Sequence, residues 1–206
     1  MNQTMCSRLR LIFLGSLFAG IWPGMLHADQ PEQIPQAPAA SGFLLVASKQ
    51  MADPRFRKTV ILVSRHGSTG HVGVIINRPQ DITLDKIFPE YPAARKFSLF
   101  AGGPVFPEQI SYLVRGADAV KGTLAISGNI YLAYDLSLLG ELLGGKRHYT
   151  DLRVVRGMAS WAPRQLEHEI KRGDWFAMPL DEAEIFERPP AEMWQELHRQ
   201  ATRVEI

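Results

Sequence analysis

The chain has 206 residues, 46% hydrophobic and 21% charged, an ordinary globular composition that excludes wholesale disorder. This length suits one domain with some additional segments. Basic and acidic residues number 23 and 21, a balance that gives no electrostatic reason to bind nucleic acid.

Arg8 and Arg10 precede the apolar run "LIFLGSLFAGI", Leu11 to Ile21. A basic flank before a run of this length is the pattern of a secretory signal, and it falls short of the roughly 20 apolar residues that cross a bilayer. Pro23 and Gly24 then break any helix, and Ala28 offers a small residue for cleavage. Residues 1–28 are therefore expected to be a signal peptide and the protein periplasmic; a misassigned start would make it cytoplasmic instead. The single cysteine, Cys6, precedes the apolar run and would leave with the leader. The mature chain then excludes disulfides, thiolate metal sites and a cysteine nucleophile. The leader also takes two basic residues and no acidic ones, leaving 21 of each.

Residues 29–40, "DQPEQIPQAPAA", are rich in Pro, Gln and Ala and read as a flexible linker. The folded domain is expected over residues 41–206, with no transmembrane segment after the leader.

"GFLLVAS" (42–48) reads as a strand. In "MADPRFRK", Asp53 before Pro54 suits an N-cap, predicting one helical turn with Phe56 inward. "TVILVS" (59–64) and "VGVIIN" (72–77) are apolar without alternation, as in strands buried on both faces, and predict a hairpin. Pro79 is expected to end the second strand. "TLDKIF" reads as a helical turn capped by Thr83, and "KFSLFA" (96–101) as a strand running into Gly102, Gly103 and Pro104. "QISYLVR" alternates and predicts a strand with one exposed face. "TLAIS" and "IYLAY" predict two strands around Gly128 and Asn129. "SLLGELLGG" predicts a helix with glycines past its end. "LRVVRG" and "DWFAMP" predict strands. "APRQLEHEIKRG" predicts an amphipathic helix with Leu166 and Ile170 inward. "PAEMWQELHRQAT" predicts a terminal helix burying Met193, Trp194 and Leu197.

Strands outnumber helices, and regular β-α-β alternation is missing. The expected architecture is an α+β fold, with a mixed, largely antiparallel β-sheet core in one or two sheets flanked by a few helices.

The motif order "DPRF", "TVIL", "HGSTGHVGVIINRP", "GGPV" and "SWAPRQLEHEIKRGDWF" resembles the YqgE/AlgH family over residues 41–206. The resemblance implies a compact α+β domain. It also implies the label of transcriptional regulator, which rests on genetic effects and not on a DNA-binding module. Members of that family usually lack a leader and carry a W-G-P-G-Q-L pattern. Here Ala162 and Arg164 stand at the two glycine positions.

The glycine pair at 102 and 103 fails the requirements of a phosphate loop. No lysine and hydroxyl follow it, and Pro104 and Pro107 remove backbone donors. "LEHEI" does not make a metal site, because adjacent helical residues diverge. His66 and His71 have no third ligand. Ser68 lies outside any G-x-S-x-G elbow. No catalytic residue, cofactor or metal is therefore expected. If a pocket exists, Asn77, Arg78, Gly102, Gly103 and Trp161 are expected to line it, with Glu108 pairing Arg78 across it. The favoured reading is a non-enzymatic exported domain that binds a protein or small ligand. The alternatives are a cytoplasmic regulator acting through a protein partner, and a hydrolase using His66 or His71.

Overall fold

The computed structural model describes residues 42–65, 70–116 and 123–204. The anticipated leader and linker, Cys6, His66 and Ser68 lie outside the described residues. The apolar runs become β1 (Phe43–Ala47), β2 (Val60–Arg65) and β3 (His71–Ile75). These pair antiparallel in that order, with β2 and β3 forming the expected hairpin. Next come β4 (Pro79–Thr83), β5 (Ser98–Ala101) and the long β6 (Val105–Arg115). The hairpin of β7 (Leu124–Ser127) and β8 (Ile130–Ala133) turns at Gly128, whose φ is 46°. β9 spans Asp151–Trp161, and β10 (Trp175–Pro179) adds antiparallel to β1.

The resulting sheet runs β10-β1-β2-β3-β9-β6-β8-β7, with β4 and β5 branching from β9. Every pairing is antiparallel except β5 with β9, so the α+β expectation of a mixed, largely antiparallel core holds. β9 belongs to both halves of the sheet. Its residues 154–156 lie between β5 and β6, and its residues 159–161 pair with β3. The bend between these stretches is Gly157, at φ 78°.

Three apolar layers follow from strand alternation. The inner layer joins Leu44, Val60 and Leu62 of one half to Leu113, Leu132 and Val155 of the other. Ile185, Met193 and Leu197 from the C-terminal helices also enter it. The outer face of the second half carries Tyr112, Val114 and Val154 beneath α1 (Leu136–Leu143). The outer face of the first half carries Leu45, Ile61 and Trp175 beneath Leu166 of α2 (Gln165–Lys171). Asp135 caps α1 by accepting from the Ser137 N–H at 2.8 Å, and its carbonyl accepts from the buried Tyr112 hydroxyl at 2.9 Å. The C-terminal helices are α3 (Glu182–Phe186) and α4 (Pro190–Val204). α4 buries Met193 and Leu197 as expected, while Trp194 is half-buried.

Several expectations change. β6 has no exposed face over Ser111–Val114, where all four residues are buried, because it lies between β8 and β9 with an apolar layer on each side. Pro79 opens the short strand β4; proline is tolerated there because it is the first residue of a strand. Asp53 caps a turn and not a helix: its carboxylate accepts the Arg55 N–H at 2.9 Å, and the chain leaves for β2 after Lys58, at φ 56°. Thr83 precedes the expected helical turn, a 3₁₀ turn over Leu84–Lys86, but bonds the Asp85 carboxylate instead of capping the backbone.

Candidate functional site

The glycine pair lies at the junction of the two halves of the sheet. Gly102 donates its N–H to the Arg156 carbonyl at 2.7 Å, and its carbonyl accepts the Ile75 N–H at 2.8 Å. It therefore bridges β9 and β3 where they diverge. A Cβ on Gly102 would lie 2.3 Å from the Gly157 carbonyl oxygen, and one on Gly103 2.3 Å from the Met158 carbonyl. Main chain crosses main chain here, which is the use of glycine that needs no ligand.

Asn77 and Arg78 also act on main chain. The Asn77 amide accepts from the Val60 N–H at 2.9 Å and donates to the Lys58 carbonyl at 3.0 Å. Arg78 donates to the Arg55 carbonyl and, at 2.7 Å, to the Arg57 carbonyl. Arg57 in turn reaches the Met51 and Ala52 carbonyls at 3.2 and 3.1 Å. Together these side chains pin the loop from Met51 to Lys58. The expected Arg78–Glu108 pair does not form: Glu108 lies 3.6 Å from Arg156 instead. Asn77→Ala is expected to cost about 2 kcal/mol, about 1 for each lost bond. It should also speed amide exchange at Arg55 and Phe56, read by urea denaturation and hydrogen exchange.

The pinned loop forms one wall of a cleft of about 340 Å³. Met51, Asp53, Arg55 and Phe56 come from the loop, Pro104 and Val105 from the start of β6, and Ser160 and Trp161 from the end of β9. Gln165, Glu169 and Arg172 come from α2 and its end, followed by Asp174 and Trp175. Of the residues expected around a pocket, only Trp161 lines this cleft; Gly103 directly precedes its Pro104 wall, while Asn77, Arg78 and Gly102 do not line it. Asn77 and Arg78 instead hold the loop that does.

Glu169 is the centre of the cleft. Its Oε2 accepts the indole N–H of both Trp161 and Trp175, each at 2.9 Å. Its Oε1 accepts from the Gln165 amide at 2.9 Å, and Gln165 also accepts the Ala162 N–H at 3.1 Å. The two indoles meet edge to face at 6.1 Å, and Phe56 meets Trp175 in the same way at 5.7 Å. Sequence reasoning set Glu169 aside with the metal question. A usable signal was present: Leu166 marks the inward face of α2, and Glu169 follows it at i+3, placing a carboxylate on that face.

α2 begins without a side-chain cap, at Arg164 with φ 67°. Arg164 thus holds the left-handed conformation that glycine favours. Arg164→Gly should relieve about 1–2 kcal/mol of strain and lose part of that to unfolded-chain entropy. A net gain of about 0.5–1 kcal/mol is expected in urea melts. His71, the described half of the histidine pair, is buried edge-on to Phe43 at 6.0 Å and does not line the cleft. Among the described residues, no group of three or more His, Cys, Asp or Glu could hold a metal, and no helix is long and apolar enough to cross a membrane.

These features define a class: an α+β domain on one bent, largely antiparallel sheet, with a small aromatic and acidic cleft beside its crossing point. The AlgH-like family profile matches residues 44–203, and the chain belongs to that family. A UPF0301 protein of Methylococcus capsulatus is 34% identical, over 78% of this chain and 88% of its own. One of Mycobacterium bovis is 32% identical, over 84% and 90%. The solution structure of AlgH from Pseudomonas aeruginosa is similar with a TM-score of 0.66 and 26% identity, covering 86% of this chain and 94% of its own. A Corynebacterium diphtheriae protein shares the fold, with a TM-score of 0.65 at 24% identity over 78% and 86%.

Proposed function

We propose that this protein is a non-catalytic recognition domain that takes a small ligand, or a short segment of a protein, in the cleft around Glu169. The observation that carries this reading is the Trp161–Glu169–Trp175 arrangement, a carboxylate oriented by two buried indole donors in the wall of an open cavity. A cavity of about 340 Å³ lies within the range of small-molecule sites. The residues present favour binding over chemistry. Among the described residues, those lining the cleft include no histidine, cysteine or lysine, and Ser160 is the one hydroxyl. Asp53 and Asp174 are each committed to a neighbouring arginine. Among these described residues Ser160 has no histidine to act as its base.

The "LIFLGSLFAGI" segment supports export, so we place the domain in the periplasm. A reporter fused after residue 40 tests that placement: alkaline phosphatase activity supports it, and cytoplasmic retention of the reporter removes it.

The cleft is tested by screening a fragment library of mixed charge by two-dimensional NMR. Hits should move the Trp161 and Trp175 indole signals and be recovered chemically unchanged. Hits that cluster elsewhere would remove the cleft. Turnover abolished by a single cleft substitution would remove the non-catalytic assignment.

A further inference from the structure

Among the described residues, the charges lining the cleft do not balance. They are Asp53, Arg55, Glu169, Arg172 and Asp174. Arg55 holds Asp53 through three side-chain bonds of 2.7–3.1 Å. Arg172 donates to Asp174, with its Nε at 2.9 Å. Each arginine is thus committed to an aspartate two residues away. Glu169 receives only neutral donors, two indoles and one amide. Arg172 feels the Glu169 charge without bonding to it. The described lining residues therefore carry one negative charge in excess, located at Glu169.

A carboxylate offers about four acceptor positions. The indoles occupy two on Oε2 and Gln165 one on Oε1, leaving one on Oε1. That single vacancy discriminates among cations. A guanidinium is recognised best by two parallel acceptors, which Glu169 cannot offer without releasing an indole. A resident metal ion needs a set of several ligands, and none exists among the described residues. An ammonium is a point charge that needs one strong acceptor and can leave its other protons to water. Met51, Phe56 and Val105 of the same cleft supply apolar surface for an alkyl stem. Trp161 and Trp175 are 5% and 3% exposed, so packing fixes the carboxylate before a ligand arrives and binding need not reorganise it.

We propose that the cleft recognises a primary alkylammonium group through Glu169 Oε1, an inference that rests on the cleft reading above. The group could come from a free amine or from a lysine side chain, since both present the same chemistry.

The test titrates the full-length chain with n-pentylammonium, Nα-acetyl-lysine methylamide, 1-pentanol and pentanoate. The readout is the indole N–H signals. Trp194, whose indole donates to the Ala47 carbonyl at 2.8 Å, is the internal reference. Both ammonium probes should shift Trp161 and Trp175 saturably and leave Trp194 unmoved. Their affinity should weaken with added salt and fall about tenfold or more in Glu169→Gln. Tighter binding of the capped lysine would assign a polypeptide source, and tighter binding of pentylammonium a free amine. Pentanol or pentanoate binding as tightly as the ammonium, or an ammonium affinity insensitive to salt, would overturn the charge assignment while leaving the cleft as a binding site. If no probe of any charge moves the two signals, both readings fail. Because Glu169→Gln also alters the indole bonds, the salt dependence of the unaltered protein provides a second decisive reading.

Discussion

Gly157→Ala should lower stability by at least about 3 kcal/mol, or about 10 °C in melting temperature for a domain of this size. Two effects combine. The φ of 78° costs a residue with a Cβ about 1–2 kcal/mol. The new Cβ would also lie 2.3 Å from the Gly103 carbonyl oxygen, an overlap that backbone must move to relieve. Since both partners are main chain at the sheet junction, neither can rotate away. Gly145→Ala separates the two effects. Gly145 has φ 72° with nothing within 4 Å of the added Cβ, so it should lose only the conformational part, about 1 kcal/mol. Equal losses at the two positions in urea denaturation would show that the crossing at Gly103 and Gly157 is not tight.

Arg153→Ala should cost about 3 kcal/mol. Arg153 is 7% exposed, donates to the Ile76 carbonyl and places its guanidinium carbon 4.6 Å from the centre of the Phe100 ring. Burial draws its pKa down to about 10, against a smaller upward pull from Asp151, so it is still charged at neutral pH. Truncation leaves a cavity and deprives a buried carbonyl of its charged donor. These losses outweigh relief of the desolvation that the cation suffers in the wild-type fold. Arg153→Met distinguishes the contributions: it refills most of the volume without burying charge, and should recover about half of the loss or more. A urea midpoint for Arg153→Ala within about 1 kcal/mol of the parent would show that the side chain contributes neither packing nor a needed hydrogen bond.

Local patterns made much of this fold readable. The unalternating runs at 59–64 and 72–77 specify paired strands buried on both faces, and they form β2 and β3. Leu166 and Ile170 mark the buried side of α2, and Met193 and Leu197 that of α4. The glycine pair was readable as scaffold because prolines remove the donors that an anion would need. The cleft was less legible. Asn77 and Arg78 looked like pocket residues because they are polar and end an apolar strand. That description also fits side chains that bond a neighbouring loop, and local sequence cannot distinguish the two. Glu169 was obscured because its partners lie eight residues before it and six after it, on different elements.

The order of residues by itself determined the type of most elements, the family and the balance of strand over helix, since periodicity and turn chemistry act over a few neighbouring positions, while β4 and α3 carried no such local signal. Tertiary structure alone decided that β6 is covered on both faces, that β9 serves both halves of the sheet and that two tryptophans share one carboxylate oxygen. Burial and hydrogen bonding of this kind depend on which surfaces meet after the chain has closed on itself, and no local pattern encodes distances across the fold.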